Sequence, residues 1–286
     1  MTELVSIYKW AILAGMLMAP ALALIGAQLA ARDKAMQTLC VGQGATLGVL
    51  LGLGFFKLLD ATEAWIAVGP FFTAGLFSVF TFLMTERLVR KRQASKNTVY
   101  SSLFASLLAL GYLVCVLFPP LESHMSQVFF GDLATLSNSE AFVTSMLGLF
   151  ALGYIGREWR VVSKDSFHQT VFGKETVHTS FSPAQIFPWL LVVALSFCVQ
   201  YLGFLFTIAC LFLPTTLATR ITGRGIRFHF LFSSILAAVS AYGGFLLSLR
   251  FTRLPTVPAI VVVMILLGSA SVYLLTLSHA VRLVQE

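Results

Sequence analysis

The chain has 286 residues, of which 58% are hydrophobic and 11% are charged, and its formal net charge is +7. A soluble protein of this length carries about 25% charged residues, so the composition argues against a soluble protein and for a surface that faces lipid. The positive charge does not indicate a nucleic-acid partner. The basic residues lie in short gaps between apolar runs, where membrane topology accounts for them.

Nine apolar runs approach the length of about 20 residues that a membrane-spanning helix needs. In chain order they are 10–31, 40–59, 64–85, 98–118, 140–156, 183–201, 203–219, 229–250 and 257–282. Residues 181–219 form one apolar block, which we divide near Gln200–Gly203; an undivided block would leave eight spans. The predicted fold is all-α: a polytopic transmembrane helix bundle of eight or nine spans, forming a single domain over residues 1–286.

Most of the 19 lysines and arginines fall on one side of this predicted bundle. Those on the other side are Lys9, Lys57, Arg250 and Arg253. The positive-inside rule assigns the basic side to the cytoplasm. With nine spans, the N-terminus is then outside and the C-terminus inside.

Two segments between the runs are long enough for a role of their own. The outer segment, Pro119–Glu140, mixes apolar and polar residues and predicts a short helix at the outer surface. Within it, Asp132 and Glu140 suit either an outer gate or helix capping, and capping is favoured. The inner segment, Gly156–Ser182, is the longest polar stretch; it suits the docking of a soluble partner, and a plain solvated connector is the alternative.

The stretch TLCVGQGATLGVLLGLG (38–54) contains a G-x-G that resembles a phosphate-binding loop. A dinucleotide fingerprint requires a third glycine where Leu47 stands, and a strand before the glycines, so this interpretation fails. Gly44, Gly48 and Gly52 recur every four residues and share one helix face. Small residues at that spacing predict a seam where two membrane helices pack closely.

Gln43 lies within the same run, where an unsatisfied amide costs several kcal/mol. It therefore needs either a hydrogen-bond partner on another helix or a position on a wet transport path. Both alternatives are open from the sequence. Thr46, one turn farther along, would extend the path.

The order of four segments resembles the permeases of zinc and manganese ABC importers. The segments are LAGMLMAPALALIGAQLAARDKAMQTLCVGQGATLGVLLG (13–52), SSLFASLLALG (101–111) with FFGDLATLS (129–137), YLGFLFTIACLFLPTTLATRIT (201–222) and LPTVPAIVVV (254–263). The resemblance implies the permease subunit of an importer for divalent metal ions, with zinc as the first candidate and manganese as the second.

The sequence departs from this family at a position that concerns the cargo. Family members usually carry D-A-L-x-H where the second helix begins, and the corresponding residues here are Leu39 and Gln43. The family's glycine in L-P-T-G is Val257. The candidate path residues are therefore Gln43, Thr46 and Leu39, and no metal ligand is assigned. A related permease for another cargo, such as a metal chelate, is the alternative.

The resemblance also implies partners. The inner segment 157–182 corresponds to a cytoplasmic coupling loop that contacts an ABC ATPase, with Phe167, Phe172 and Gly173 as candidate contact residues. The sequence contains no G-x-x-x-x-G-K-[ST] motif, so ATP would bind and be hydrolysed on that separate subunit, and this chain would bind no cofactor. The other implied partners are an extracytoplasmic metal-binding protein, a second identical permease and the lipid of the cell inner membrane.

A membrane enzyme or a secondary transporter would place ionisable groups deep within its spans. Away from the ends of the nine runs, no such group occurs at the centre of any run. The four cysteines lie in apolar runs without metal-ligand spacing, which indicates small buried side chains. His124, on the outer segment, would meet an arriving metal or serve simply as a surface residue.

Overall fold

The computed structural model describes residues 6–60, 62–91, 95–172, 183–221, 225–251 and 253–285. Within these ranges the chain is helical and contains no β-strand, so the all-α prediction is confirmed. The helices are α1 Lys9–Ala31, α2 Ala35–Leu58, α3 Glu63–Lys91, α4 Lys96–Leu117, α5 Glu122–Phe130, α6 Asn138–Phe172, α7 Pro183–Leu202, α8 Phe204–Ala218, α9 Ile226–Arg250 and α10 Thr256–Gln285. Two 3₁₀ turns, Pro119–Leu121 and Leu133–Thr135, lie on either side of α5.

Seven of the described helices are long and apolar enough to cross a membrane, over all or part of α1, α2, α3, α4, α6, α9 and α10. The apolar parts of α7 and α8, Trp189–Leu202 and Phe204–Ala218, are shorter. These nine helices correspond in order to the nine predicted runs. The chain is therefore a multi-pass membrane protein.

The predicted division of the long apolar block is confirmed, because α7 ends at Leu202 and α8 begins at Phe204. Gly203, between them, has φ +86°, and Gly131, at the end of α5, has φ +73°. A Cβ on Gly203 would lie 2.4 Å from the N and Cα of Gly131. The two backbones thus cross where no other side chain fits, and glycine adopts the positive φ values without steric cost.

Side-chain caps hold the turn Leu133–Thr135 and the start of α6. The Ser137 hydroxyl accepts the Glu140 N–H at 3.3 Å, while Glu140 Oε2 accepts the Ser137 N–H at 2.9 Å, which is a capping box at the start of α6. Asp132 Oδ1 accepts the N–H of Ala134 at 3.0 Å and the hydroxyl of Thr256 at the start of α10. Both carboxylates therefore act as caps, as the sequence favours.

The predicted glycine seam on α2 is confirmed. A Cβ on Gly48 would lie 2.7 Å from the Cα of Ala74 on α3, and one on Gly52 would lie 2.1 Å from the Oγ1 of Thr73. A Cβ on Gly44 would lie 2.2 Å from the Oγ1 of Thr81. The glycines hold α2 and α3 at backbone contact distance, as small residues do between membrane helices.

Contacts between helices divide the chain into two compact units that interleave along the sequence. Unit one comprises Met1–Ala31, Asp132–Phe167 and Ile208–Glu286, and in it α9 packs against α1 and α10. Unit two comprises Arg32–Gly131 and His168–Thr207, and in it α2 packs against α3, α4 and α7. Neither unit corresponds to one continuous stretch of sequence.

α6 is longer than the apolar run that predicts it. The run ends at residue 156, whereas α6 continues as one helix to Phe172. The predicted loop 157–182 is thus helical over 157–172, and residues 173–182 lie outside the described ranges. The polar residues Arg157 and Glu158 end the apolar run, but both residue types favour helix, so the helix continues. Their side chains form an ion pair at 3.6 Å.

Candidate functional site

A line of buried hydroxyl groups follows one face of α3 in unit two. Ser78, Thr81 and Thr85 are each at most 1% exposed, and their spacing of three and four residues places them on the same side of the helix. Ser196 Oγ of α7 hydrogen-bonds to Ser78 Oγ at 3.0 Å. Gln37 Nε2 of α2 donates to Thr85 Oγ1 at 3.1 Å. We call these five residues the polar seam; it lies among α2, α3 and α7.

Gln43 lies beside this polar seam along α2. It directly precedes Gly44, the residue that lies against Thr81. The side chain is 0% exposed, and neither its Oε1 nor its Nε2 has a hydrogen-bond partner within the described part of the chain. The Thr81 hydroxyl is likewise buried there without a partner. Leaving such a group unsatisfied costs about 1–3 kcal/mol, so folding alone does not account for either side chain.

The other two candidate path residues have different surroundings. Thr46 is buried, and its hydroxyl donates to the Gly42 carbonyl of the same helix at 3.1 Å. Leu39 is half-buried and lies one turn before Gln43 on the same face of α2. The structure thus brings Leu39 and Gln43 together, while the Thr46 hydroxyl is satisfied within its own helix.

The polar seam carries no formal charge. The carboxyl group of Glu86 is bonded to the polar seam: its Oε1 accepts a hydrogen bond from Gln37 at 3.0 Å, and its Oε2 lies 3.9 Å from Arg90. Among the residues that the structure describes, no group of three or more His, Cys, Asp or Glu side chains is arranged to hold a metal ion. Amide and hydroxyl oxygens are weak ligands for zinc, so the seam is suited to hydrogen bonding.

His124 of α5 is hydrogen-bonded to Lys57, at the end of α2. The Lys57 ammonium donates to His124 Nε2 at 2.9 Å, which requires that this nitrogen be unprotonated. Burial, and secondly the positive charge of Lys57, lower the pKa of His124 below its usual value. A cation approaching this imidazole would meet the ammonium, so the geometry disfavours His124 as a first contact for metal.

The candidate coupling residues are only partly described. The backbone of Phe167 and Phe172 belongs to the polar extension of α6, and Gly173 lies outside the described residues. The first part of the predicted contact segment, residues 157–172, is therefore helical.

Gln43 was conspicuous in the sequence, whereas the five residues of the polar seam were not. Serine and threonine in membrane helices commonly bond to their own backbone, so their presence alone is a weak signal. The spacing of the α3 hydroxyls on one face was the available clue. The position of Thr81 against Gly44 of α2 depends on which helix packs there, which the spacing does not specify.

The comparisons with known proteins concern almost the whole chain. The model of the ABC 3 transport family matches residues 5–275. Among solved structures, PsaBC from Streptococcus pneumoniae, in complex with Fab, is similar with a TM-score of 0.70. The identity is 17% over 93% of this chain and 89% of that chain, so the likeness concerns the fold. No curated protein matches the chain.

Proposed function

Because this chain belongs to the ABC 3 transport family, we propose that it is the membrane permease subunit of an ATP-binding-cassette importer for divalent metal ions. Zinc is the first candidate cargo and manganese the second. The family match over residues 5–275 carries this proposal. The chain would act in the cell inner membrane as a two-fold homodimer and would form no covalent bond with its cargo.

Energy would come from a separate subunit, since the chain has no Walker motif of its own. An extracytoplasmic metal-binding protein would deliver the cargo. ATP hydrolysis on a cytoplasmic ATPase would switch the path from open to the outside to open to the cytoplasm. Force would pass through residues 157–182. The helical start of this segment supports that role, because a helix transmits displacement as a rigid element.

Within unit two, Gln43 and Thr81 are the candidate lining of the path, whereas Gln37 is bonded to Thr85 and Glu86. Gln43 and Thr81 retain unused hydrogen-bonding groups inside an apolar body. Such groups would be satisfied when a hydrated or ligated cargo passes. Removing one hydrogen bond between such a group and the cargo should cost about 1 kcal/mol, which corresponds to roughly fivefold in affinity for the cargo.

A permease for a metal chelate is the second candidate, favoured by Leu39 and Gln43 at the positions of the family's Asp and His. A bare dication requires charge compensation that these side chains do not supply. A chelate brings its own ligands and needs only hydrogen bonds from the path.

Transport by the reconstituted complex tests both candidates. The permease and its ATPase are placed in liposomes with the binding protein, and ATP-dependent accumulation of zinc, manganese and a pre-formed zinc chelate is measured. Saturable uptake of the free ion supports the leading proposal, and uptake of the chelate alone supports the second. No ATP-dependent uptake of any of the three would refute both.

The double variant Leu39→Asp/Gln43→His restores the family pair and sharpens this test. If the natural cargo is a chelate, the variant should gain uptake of free zinc. If the natural cargo is the free ion, uptake should change little or fall.

The variant Phe172→Ala tests the proposed contact with the ATPase. It should lower transport-coupled ATP hydrolysis while leaving permease assembly intact, and normal coupling would argue against the proposed contact.

A further inference from the structure

A groove runs between α9 and α10 in unit one. The two helices are in backbone contact where Gly244 meets Ile260, since a Cβ on Gly244 would lie 2.4 Å from the Cα of Ile260. Farther along both helices, in opposite directions, a Cβ on Gly268 would lie 3.1 Å from Cδ2 of Leu236. Around this second contact the helices border a cavity of about 260 Å³. Its lining residues are Phe228, Leu231, Phe232, Ile235, Leu236, Val239, Leu267 and Ser271.

The groove has the length and chemistry of an extended alkyl chain in one leaflet. From Phe228 to Val239 the helix rises about 16 Å, which is roughly half of the 30 Å hydrocarbon thickness of a bilayer. The lining is apolar apart from Ser271. Leu231 and Ile235 are 61% and 54% exposed, so the groove opens away from the body of unit one.

Basic residues stand at one end of this groove. Arg227 directly precedes Phe228 and is exposed, as is Arg220 after the end of α8. The His229 Nδ1–H donates to the Ala218 carbonyl at 2.7 Å, which holds the turn carrying Arg220 beside the start of α9. Between residues 176 and 285 the sequence contains no Asp or Glu. This segment therefore supplies no carboxylate for the two guanidinium groups, and the positive-inside rule predicts that they face the anionic leaflet.

We infer that this groove binds an anionic phospholipid of the inner leaflet. One acyl chain lies along Val239 to Phe228, and Arg227 and Arg220 bind the headgroup phosphate. Guanidinium groups suit this role because they donate two parallel hydrogen bonds to a phosphate. The basic groups at the end of the groove favour a lipid over a second copy of this chain, whose corresponding surface carries the same positive charge.

Headgroup binding by the two arginines is tested by thermal unfolding. Purified permease in a non-ionic detergent is titrated with phosphatidylglycerol or with phosphatidylcholine, and Tm is recorded at each lipid concentration. Phosphatidylglycerol should raise Tm saturably, and phosphatidylcholine should have a much smaller effect. The double variant Arg220→Gln/Arg227→Gln should weaken the phosphatidylglycerol response about twenty-fivefold, at roughly fivefold per guanidinium group. The matched control Arg250→Gln/Arg253→Gln, at the other end of α9, should respond as the natural protein does. Equal responses to both lipids, or equal weakening by the control, would overturn the inference.

The apolar part is tested by filling the groove. Ile235→Trp should abolish the response to phosphatidylglycerol, whereas Leu266→Trp, at a similarly exposed position of α10 outside the lining, should retain it. If Ile235→Trp does not fold, Val239→Trp makes the same test nearer the closed end. A full response in the filled variants would overturn the inference. Native mass spectrometry that shows loss of dimers rather than of lipid would assign the groove to a second copy.

Discussion

Replacing each of two buried glutamines of α2 by leucine separates a transport role from a structural one. Gln37 and Gln43 lie on the same helix and are both buried, at 3% and 0% exposure. Gln37 hydrogen-bonds to Thr85 and Glu86, whereas Gln43 bonds to neither backbone nor side chain in the described residues. Leucine has nearly the same volume as glutamine, so both changes mainly remove an amide.

The two variants should change the free energy of unfolding in opposite directions. Gln37→Leu removes one neutral hydrogen bond and one to a carboxylate, at a net cost of about 2–4 kcal/mol. Gln43→Leu removes an amide whose burial is not compensated, and should therefore stabilise the protein by about 1–3 kcal/mol. For a chain of this size, 1 kcal/mol corresponds to roughly 2 °C in Tm.

Thermal unfolding in detergent measures the two shifts, and ATP-dependent uptake into liposomes measures function. We expect Gln43→Leu to raise Tm and to reduce uptake about fivefold, the value of one hydrogen bond to cargo. Gln37→Leu should lower Tm and, in assays well below its melting range, retain most uptake. A lowered Tm with normal uptake for Gln43→Leu would show that the amide is a structural bond and would refute the reasoning.

Three further changes test contacts around the outer segment. Gly203→Ala should lower the free energy of unfolding by about 2–4 kcal/mol, because the new methyl meets a backbone and alanine is strained at positive φ; a Tm within 2 °C of the natural protein's would contradict this. Thr256→Val should cost about 1.5–3 kcal/mol by removing the hydroxyl that Asp132 accepts, and Thr256→Ser should recover most of that loss in the same unfolding measurement. The pKa of His124 is lower in the native state than in the unfolded chain. As the pH falls below about 6.5, the unfolded chain therefore binds a proton that the native state does not bind. The free energy of unfolding should decrease until the pH falls below the native pKa. The Tm of the natural protein should therefore fall more steeply between pH 7 and pH 5 than that of His124→Gln, which keeps an acceptor for Lys57; equal slopes would show that this imidazole does not titrate differently on folding.

The positions of the helices were predictable because a membrane imposes a length on apolar runs. Even the division near Gly203 was predictable, because Gln200 and, three residues later, Gly203 interrupt a long apolar block. The end of α6 was not predictable by the same rule. Hydropathy marks where a helix leaves lipid, and Arg157 and Glu158 let the helix continue to Phe172 past that boundary.

The candidate site was predictable only where a residue is unusual for its surroundings. Gln43 is conspicuous because an amide in an apolar run needs a partner. Thr81 is not, since a threonine hydroxyl usually bonds to its own helix, as Thr46 does. Thr81 lies against Gly44, and its hydroxyl has no partner among the described residues. Which helix packs against a row of glycines is a tertiary property that the glycines alone do not specify.

The charge of the cargo is the strongest remaining constraint on the path. A dication that loses its water in a region of low dielectric needs an opposite charge close by, and neutral oxygens do not replace it. Glu86, the ionised group bonded to the polar seam, already accepts from Gln37 and pairs with Arg90. Gln43 and Thr81, in contrast, offer uncommitted neutral groups. With Leu39 and Gln43 at the positions of the family's Asp and His, the proposed path therefore favours a cargo that keeps its own water or ligands, either a hydrated dication or a metal chelate, and the uptake assay decides between the two.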